Sequence, residues 1–396
     1  MTETEERTGR RRGLIVLLGT LTAFSPLNTD IYVPAMPALV AAFGTSAAAV
    51  QLTLSTYFIG FATGQAIYGP ISDHYGRKRP LYLGLSVYVA ASLVCSLAPT
   101  IGAITAARFF QALGACAGSV IARAIVADLF AAQEAARIFA LLTMVMGVAP
   151  VLAPTAGAAL LVLFGWQAIF WLLAAFGFVA LIAAWRRLPE THPPTATGPL
   201  GLGSALRTYA RIAVDRRFIG YCLPGAFGMG GMFAYIAGSS FVFIGLYHFT
   251  PNQYGALFGV NSAAIILSSQ VNRRLLRRHR AEVLLKRALT VQPVFTLLLL
   301  AVAASGRGGA LALAVPLICI LGTLGFVYPN STALAMSSHR DRAGSASALL
   351  GVIQSSFAAL TAIVVGALQG ATPVPLALVI ALYSALGFCL SRTLMP

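Results

Sequence analysis

Apolar residues fill this chain in long blocks separated by short polar breaks. A helix needs roughly 20 mostly apolar residues to cross a hydrocarbon layer. Twelve blocks match or approach that length, at residues 14–41, 50–70, 81–98, 102–124, 138–163, 167–186, 218–246, 253–272, 284–304, 309–335, 344–369 and 374–392. The pattern predicts an all-α integral membrane protein with twelve transmembrane helices.

The longest polar stretch lies at 187–217 and divides the blocks six and six. It predicts an N-terminal bundle over 1–186, a linker over 187–217 and a C-terminal bundle over 218–396. Within the linker, Leu202, Leu206, Tyr209 and Ile212 recur at helical spacing, with Arg207 and Arg211 toward another side. An amphipathic helix lying in the membrane interface fits that pattern. The segments after the fourth and tenth blocks place Arg137 and Arg342 at matching positions, as distant repeats would. Parallel six-helix repeats suit a transporter with a central site.

Charge supplies the orientation. Arg7, Arg10, Arg11, Arg12, Arg77, Lys78 and Arg79 fall on one face, as do the basic residues after the fourth, sixth, eighth and tenth blocks; only Arg307 falls on the other. Positive charge collects on the cytoplasmic side, so both termini are expected there, in a cytoplasmic (inner) membrane. The net charge of +16 sits in these short loops, where it attracts anionic lipid headgroups rather than nucleic acid.

Composition agrees. The chain is 58% hydrophobic and 10% charged, against about 25% charged in soluble domains. Five cysteines lie singly in apolar blocks with no metal-ligand spacing, and read as packing residues. No cofactor or metal is implied. The basic N-terminus resembles a leader, but its apolar run continues too far, through Asp30 and two prolines.

Asp30 is the only acidic residue inside any of the apolar blocks. A carboxylate at the bilayer centre costs about 2.5–3.5 kcal/mol on insertion scales, so a chain that keeps one uses it. Pro34 cannot donate to the carbonyl four residues earlier, which is that of Asp30 itself. Asn28, Asp30 and this frayed backbone form one polar patch, of a kind tolerated where protein or water covers it. Arg108 enters the fourth block from the opposite face and reaches a depth similar to that of Asp30. The two are expected to face each other or one polar cavity, as a proton-coupling pair or as a static ion pair.

The loop from Gly69 to Leu81 reads G-P-I-S-D-H-Y-G-R-K-R-P-L. It resembles the signature loop of the major facilitator superfamily, G-x-L-a-D-r-x-G-r-k-x-x-l, with Gly69, Asp73, Gly76, Arg77, Lys78 and Leu81 matching. Ile71 and His74 depart from that pattern. Arg123 and Asp128 could complete a charge cluster there. Arg108, Gln111 and Gly114 resemble the superfamily's R-x-x-Q-G element, with one residue more before the glycine. Gly147, Pro150, Pro154 and Gly157 resemble its antiporter motif, with alanine at 149, 153 and 158 where the motif has glycine.

The opening Asp30-Ile-Tyr-Val-Pro-Ala-Met-Pro37 is similar to that of the Bcr/CflA drug-resistance branch. So are the stretches beginning at Met232 and at Pro329, and the one from Arg342 onward. The resemblance covers nearly the whole chain. It implies two pseudo-symmetric six-helix bundles and proton-coupled efflux of small amphipathic drugs such as phenicols, bicyclomycin or sulfonamides. Some related exporters carry a second acid where this chain has Thr22, which leaves Asp30 to carry the proton. Asn28, Tyr57, Gln111, Phe233, Tyr235, Asn330, Gln354 and Phe357 are candidate cavity walls, although each alone also fits a packing role. A metabolite carrier on the same machinery is the nearest rival. A membrane enzyme would need a nucleophile, base or metal cluster, and none of the 5 histidines shares a helix face with an intramembrane acid. The expected partners are a drug-like small molecule, protons and lipid, and the expected state is a monomer.

Overall fold

The computed structural model describes residues 3–130, 132–192, 202–339, 343–368 and 370–395. Arg342 and the linker residues 193–201 lie outside them. Among the described residues every regular element is helical.

The first block does not form one helix. α1 (Glu3–Asp30) stops at Asp30, a 3-10 turn covers Val33–Ala35, and α2 (Met36–Phe43) completes the passage. Pro34 and Pro37 are the cause, because neither has an N–H to continue an α ladder. Instead the Ala35 N–H donates to the Tyr32 carbonyl at 3.0 Å, a one-turn contraction. The break therefore falls directly after the acidic residue.

α3 (Ala47–Tyr75), α4 (Lys78–Ser96), α5 (Ile101–Leu129), α6 (Ala132–Phe164) and α7 (Gln167–Arg187) follow. Ser46 and Thr100 cap α3 and α5 by accepting the N–H three residues on, at 3.2 Å each. α8 (Leu202–Ala213) is the linker helix. α9 (Arg216–Ser240) runs on into a π-helical segment, Phe241–Leu246. α10 (Pro251–Leu275), α11 (Ala281–Ser305), α12 (Gly309–Met336), α13 (Ala343–Leu368) and α14 (Val374–Thr393) complete the chain.

Ten of these spans are long and apolar enough to cross a membrane. α3 is long enough but more polar, since Gln51, Thr53, Ser55 and Gln65 all lie buried along it. Among the described side chains, α6 carries an apolar stretch over Val148–Phe164. Leu83, Leu163, Phe164, Phe178, Val179 and Leu311 are more than half exposed, as lipid-facing residues are.

α1 packs on α5, α6 and α7, while α3 and α4 pack on α5. α9 packs on α12, α13 and α14, and α10 and α11 pack on α12. Two seams join the first six long helices to the last six, α3 on α13 and α6 on α10. Along the first seam Gln51 lies against Gly366 and Gln65 against Gly351, and a side chain at either glycine would strike the amide. α8 buries Ile212 and packs against α3, α9 and α13, with Leu206 left exposed.

Candidate functional site

The break after α1 positions Asp30. Its side chain is 4% exposed, and among the described residues no cation lies within ion-pair distance of it. One hydroxyl reaches its carboxylate, Thr29 Oγ1 at 3.2 Å. That hydroxyl also lies 3.2 Å from the Ser25 carbonyl and 3.1 Å from that of Pro26, so its single hydrogen is shared among three acceptors. Gly157 of α6 abuts the Ile31 carbonyl, and a methyl group on it would collide there. The glycine thus lets α6 come to main-chain contact with the broken end of α1.

Arg108 does not pair with Asp30. Its guanidinium is fully buried and donates to the Asn28 carbonyl at 3.3 Å from both Nη1 and Nη2, and to Gln111 Oε1 at 2.8 Å. The ring faces of Tyr32 and Tyr57 flank it at 4.5 and 4.3 Å, a cation–π sandwich in a desolvated setting. Depth along two helices fixed the level of both residues but not their direction about each helix axis. The cluster continues outward: Gln111 Nε2 donates to Ser92 Oγ at 2.8 Å, and Tyr88 donates to Asn28 Oδ1 at 3.1 Å. Asn28, Tyr57 and Gln111 are therefore engaged in holding Arg108.

Across the seam, the 3-10 turn that follows Asp30 packs on α9 and α10. Asn261 Nδ2 donates to the Tyr235 hydroxyl at 2.8 Å, and Ser239 Oγ and the Tyr254 hydroxyl share a hydrogen bond of 2.6 Å. Of these four, sequence reasoning singled out only Tyr235. The signal for the rest was weak: a tyrosine just inside an α10 start marked by Thr250 and Gln253, and an asparagine two turns further on.

The other candidate wall residues separate into groups. Phe233 meets Phe58 edge to face across the seam at 5.8 Å. Phe357 packs with Phe227 at 4.5 Å and Tyr383 at 5.3 Å, and is half-buried, as is Gln354. Asn330 instead exchanges hydrogen bonds with Asn272, at 2.9 and 3.4 Å, which ties α12 to α10 and uses its amide within one bundle.

The signature loop forms one charge cluster. Arg77 is 5% exposed and forks onto Asp128, Nε to Oδ2 at 2.9 Å and Nη2 to Oδ1 at 3.2 Å. Its Nη1 donates to Ser72 Oγ at 2.9 Å and to Asp73. Lys78 sets its ammonium 5.8 Å from the Tyr82 ring centre. Gly69 has open space around it, and Gly76 turns the chain at φ +82°. Arg123 is exposed and makes no ion pair among the described residues. Sequence reasoning missed the contribution of the linker. Glu190 accepts the Arg77 N–H at 2.8 Å and the Lys78 N–H at 3.2 Å, at the start of α4, and Thr191 Oγ1 donates to Asp128 at 2.9 Å. A carboxylate there also suits the positive end of the helix.

The antiporter-motif residues line the junction of α1, α6 and α10. Besides Gly157, the Pro150 carbonyl accepts from Ser262 Oγ at 3.1 Å. A Cβ on Gly255 would lie 3.3 Å from the Pro154 carbonyl oxygen. Gly147 lies in α6, where its surroundings fall outside the described side chains.

A family model, Major Facilitator Superfamily, matches residues 18–362. The chain is 36% identical over 383 residues to the MFS-type transporter YdgK of Bacillus subtilis, covering 96% of this chain and 95% of that one. It is 29% identical over 362 residues to a bicyclomycin resistance protein homolog of Haemophilus influenzae, covering 91% of each. Among solved structures, a bacterial homolog of the human lysosomal transporter Spinster superposes with a TM-score of 0.73 at 17% identity, covering 97% of this chain and 98% of that one. That likeness speaks for the fold alone. Family and fold together make the chain a multi-pass membrane transporter and not an enzyme; it belongs to the Major Facilitator Superfamily.

Proposed function

We propose that this transporter exports small amphipathic drugs or antibiotics, of phenicol, bicyclomycin or sulfonamide type, in exchange for protons, with Asp30 as the proton carrier. The observation that carries the reading is the setting of Asp30: a buried carboxyl with no ion-pair partner among the described residues, at a helix break where the two bundles meet. A buried, unpaired carboxylate is costly, so the group is poised to change its charge as its surroundings change.

The two bundles, 1–186 and 218–396, alternate their opening around a site between them. Asp30 takes a proton when it faces outward and gives it up when it faces inward. Moving one charge down 100 mV supplies about 2.3 kcal/mol, which drives the drug outward. The end that carries the signature loop and the linker is cytoplasmic, in keeping with its arginines. Phe58, Phe233, Phe227 and Phe357 offer an apolar aromatic wall for such compounds. Arg108 secures the α1 backbone below Asp30. The protein works as a monomer among lipids.

The test is drug-dependent proton movement in proteoliposomes, comparing the native protein with Asp30→Asn. Coupled movement that persists unchanged in Asp30→Asn defeats the reading.

A further inference from the structure

Two helix irregularities leave main-chain carbonyls without their regular donors. In α9 the winding changes from α to π at Phe241. A regular helix would give the Phe241 N–H to the Ala237 carbonyl. Here it goes to the Gly238 carbonyl instead. In α6 the Pro150 carbonyl would take its bond from residue 154, which is proline and has no N–H. A carbonyl freed inside the hydrocarbon layer is costly unless another donor reaches it.

For both carbonyls the donor comes from the opposite bundle. Gln51 of α3 is fully buried, and its Nε2 donates to the Ala237 carbonyl at 2.9 Å. Ser262 of α10 is buried too, and its Oγ donates to the Pro150 carbonyl at 3.1 Å. The exchange is reciprocal, one donor and one carbonyl from each side. Close packing supports it: Gln51 lies against Gly366, and Gly255 lies against Pro154 and Thr155. Gln51 is in the second turn of α3, at the end away from the termini, where α2 also packs on the π-helical segment. A carbonyl that kept its own helical N–H would gain little from a second donor. A freed one gains a whole bond.

We propose that Gln51 and Ser262 are positioning residues of the transport cycle: they hold the half of the bundles away from the termini shut by donating to carbonyls that the π-helical segment and Pro154 set free. This rests on the reading that the bundles alternate their opening, and not on Asp30 as the proton carrier. When that half opens, water enters and serves the same donors and carbonyls. Each bond is then exchanged for bonds to water, so its net worth is modest and it can be made and broken in every cycle. Gln51 Oε1 has no partner among the described residues, so Ser262 is the cleaner of the two clasps. No covalent bond changes.

The experiment measures distances between spin labels on Ala42→Cys of α2 and Arg307→Cys of the turn before α12, both exposed and at the far end. The full chain is held in lipid, with Cys319 and Cys389 replaced by alanine. Ser262→Ala strips the Pro150 carbonyl of its donor only while the far half is shut. It is expected to raise the ratio of long to short distances about fivefold. Gln51→Glu keeps the shape but replaces the donor by an oxygen, and is expected to raise the ratio at least as much. Gln65→Glu buries the same group at the other peg of α3, where no freed carbonyl is served, and is expected to leave the ratio unchanged. Pro154→Ala returns an N–H to the Pro150 carbonyl, so adding Ser262→Ala to it is expected to change nothing further. A ratio that Ser262→Ala leaves unmoved overturns the proposal, even if Gln51→Glu fails to fold. So does an equal rise in Gln51→Glu and Gln65→Glu, or a full Ser262→Ala effect on the Pro154→Ala background. A single short distance in the native protein and every variant defeats alternation itself; two distances in the native protein with an unmoved ratio defeat this inference alone.

Discussion

The guanidinium of Arg108 holds the main-chain carbonyl of Asn28, two residues short of the Asp30 carboxylate. A buried cation thus meets a carbonyl, an amide and two ring faces, while its Nε has no partner among the described residues. Lysine keeps the charge but not the planar fork or the stacking. Arg108→Lys is expected to cost about 2 kcal/mol and to loosen the end of α1. Thermal unfolding in detergent would read the first effect and hydrogen exchange over residues 28–35 the second. Unchanged exchange there would separate Arg108 from Asp30.

Gly157 touches the carbonyl of Ile31, next to the break. Any larger side chain forces α6 and α1 apart. Gly157→Ala is expected to destabilise by about 1–3 kcal/mol, as overpacking does, and Gly157→Val by more. If Gly157→Val unfolds at the native temperature, the close approach has no energetic weight.

Arg77 ties the loop after α3 to the end of α5, and the linker caps the same loop. Asp128→Asn weakens a charge-assisted fork and is expected to cost about 2 kcal/mol. Glu190→Ala removes a cap from α4 at about 1 kcal/mol. Gly76 is at φ +82°, and a Cβ there would lie 2.9 Å from Glu190 Oε2, so Gly76→Ala adds backbone strain to a collision. All three should speed trypsin cleavage after Arg77 and Lys78. Equal rates in native and variant proteins would count against the cluster as a brace.

Asp215 caps α9 and reaches the end of α12, where His339 Nε2 lies 2.8 Å from its Oδ2 and Ser338 Oγ donates at 3.2 Å. Its partial burial alone would raise its pKa. The Arg217 N–H, His339 and Ser338 outweigh that and hold the carboxyl below its ordinary range. A depressed folded value gives stability that is present above the unfolded value, near 3.9, and lost as pH falls through the folded one. Hydrogen exchange at the start of α9, corrected for intrinsic rates, should therefore rise below about pH 4 in the native protein. Asp215→Asn should remove that pH dependence.

Much of this was legible in the sequence because it was local. Apolar blocks gave the helices, and the prolines after Asp30 announced a break that cost the first block its single-helix form. The loop from Gly69 to Leu81 carried its own spacing, and Asp128 was close enough in pattern to be placed with it. What failed to show was azimuth and return. The depth of Arg108 could be read, but not the side it faces. Glu190 and Thr191 meet Arg77 and Asp128 only because the chain folds back after α7. Ser239, Tyr254 and Asn261 are ordinary helix residues until α9, α10 and the end of α1 are brought together. Asn330 looked like a polar handle and instead found Asn272.

Gln51 in Gly366 and Gln65 in Gly351 are two pegs seated in two sockets near opposite ends of one seam. A helix pinned twice along its length has no freedom to slip along its neighbour. Register along the α3–α13 contact is therefore fixed, and parting the helices at either end means drawing out the peg seated there.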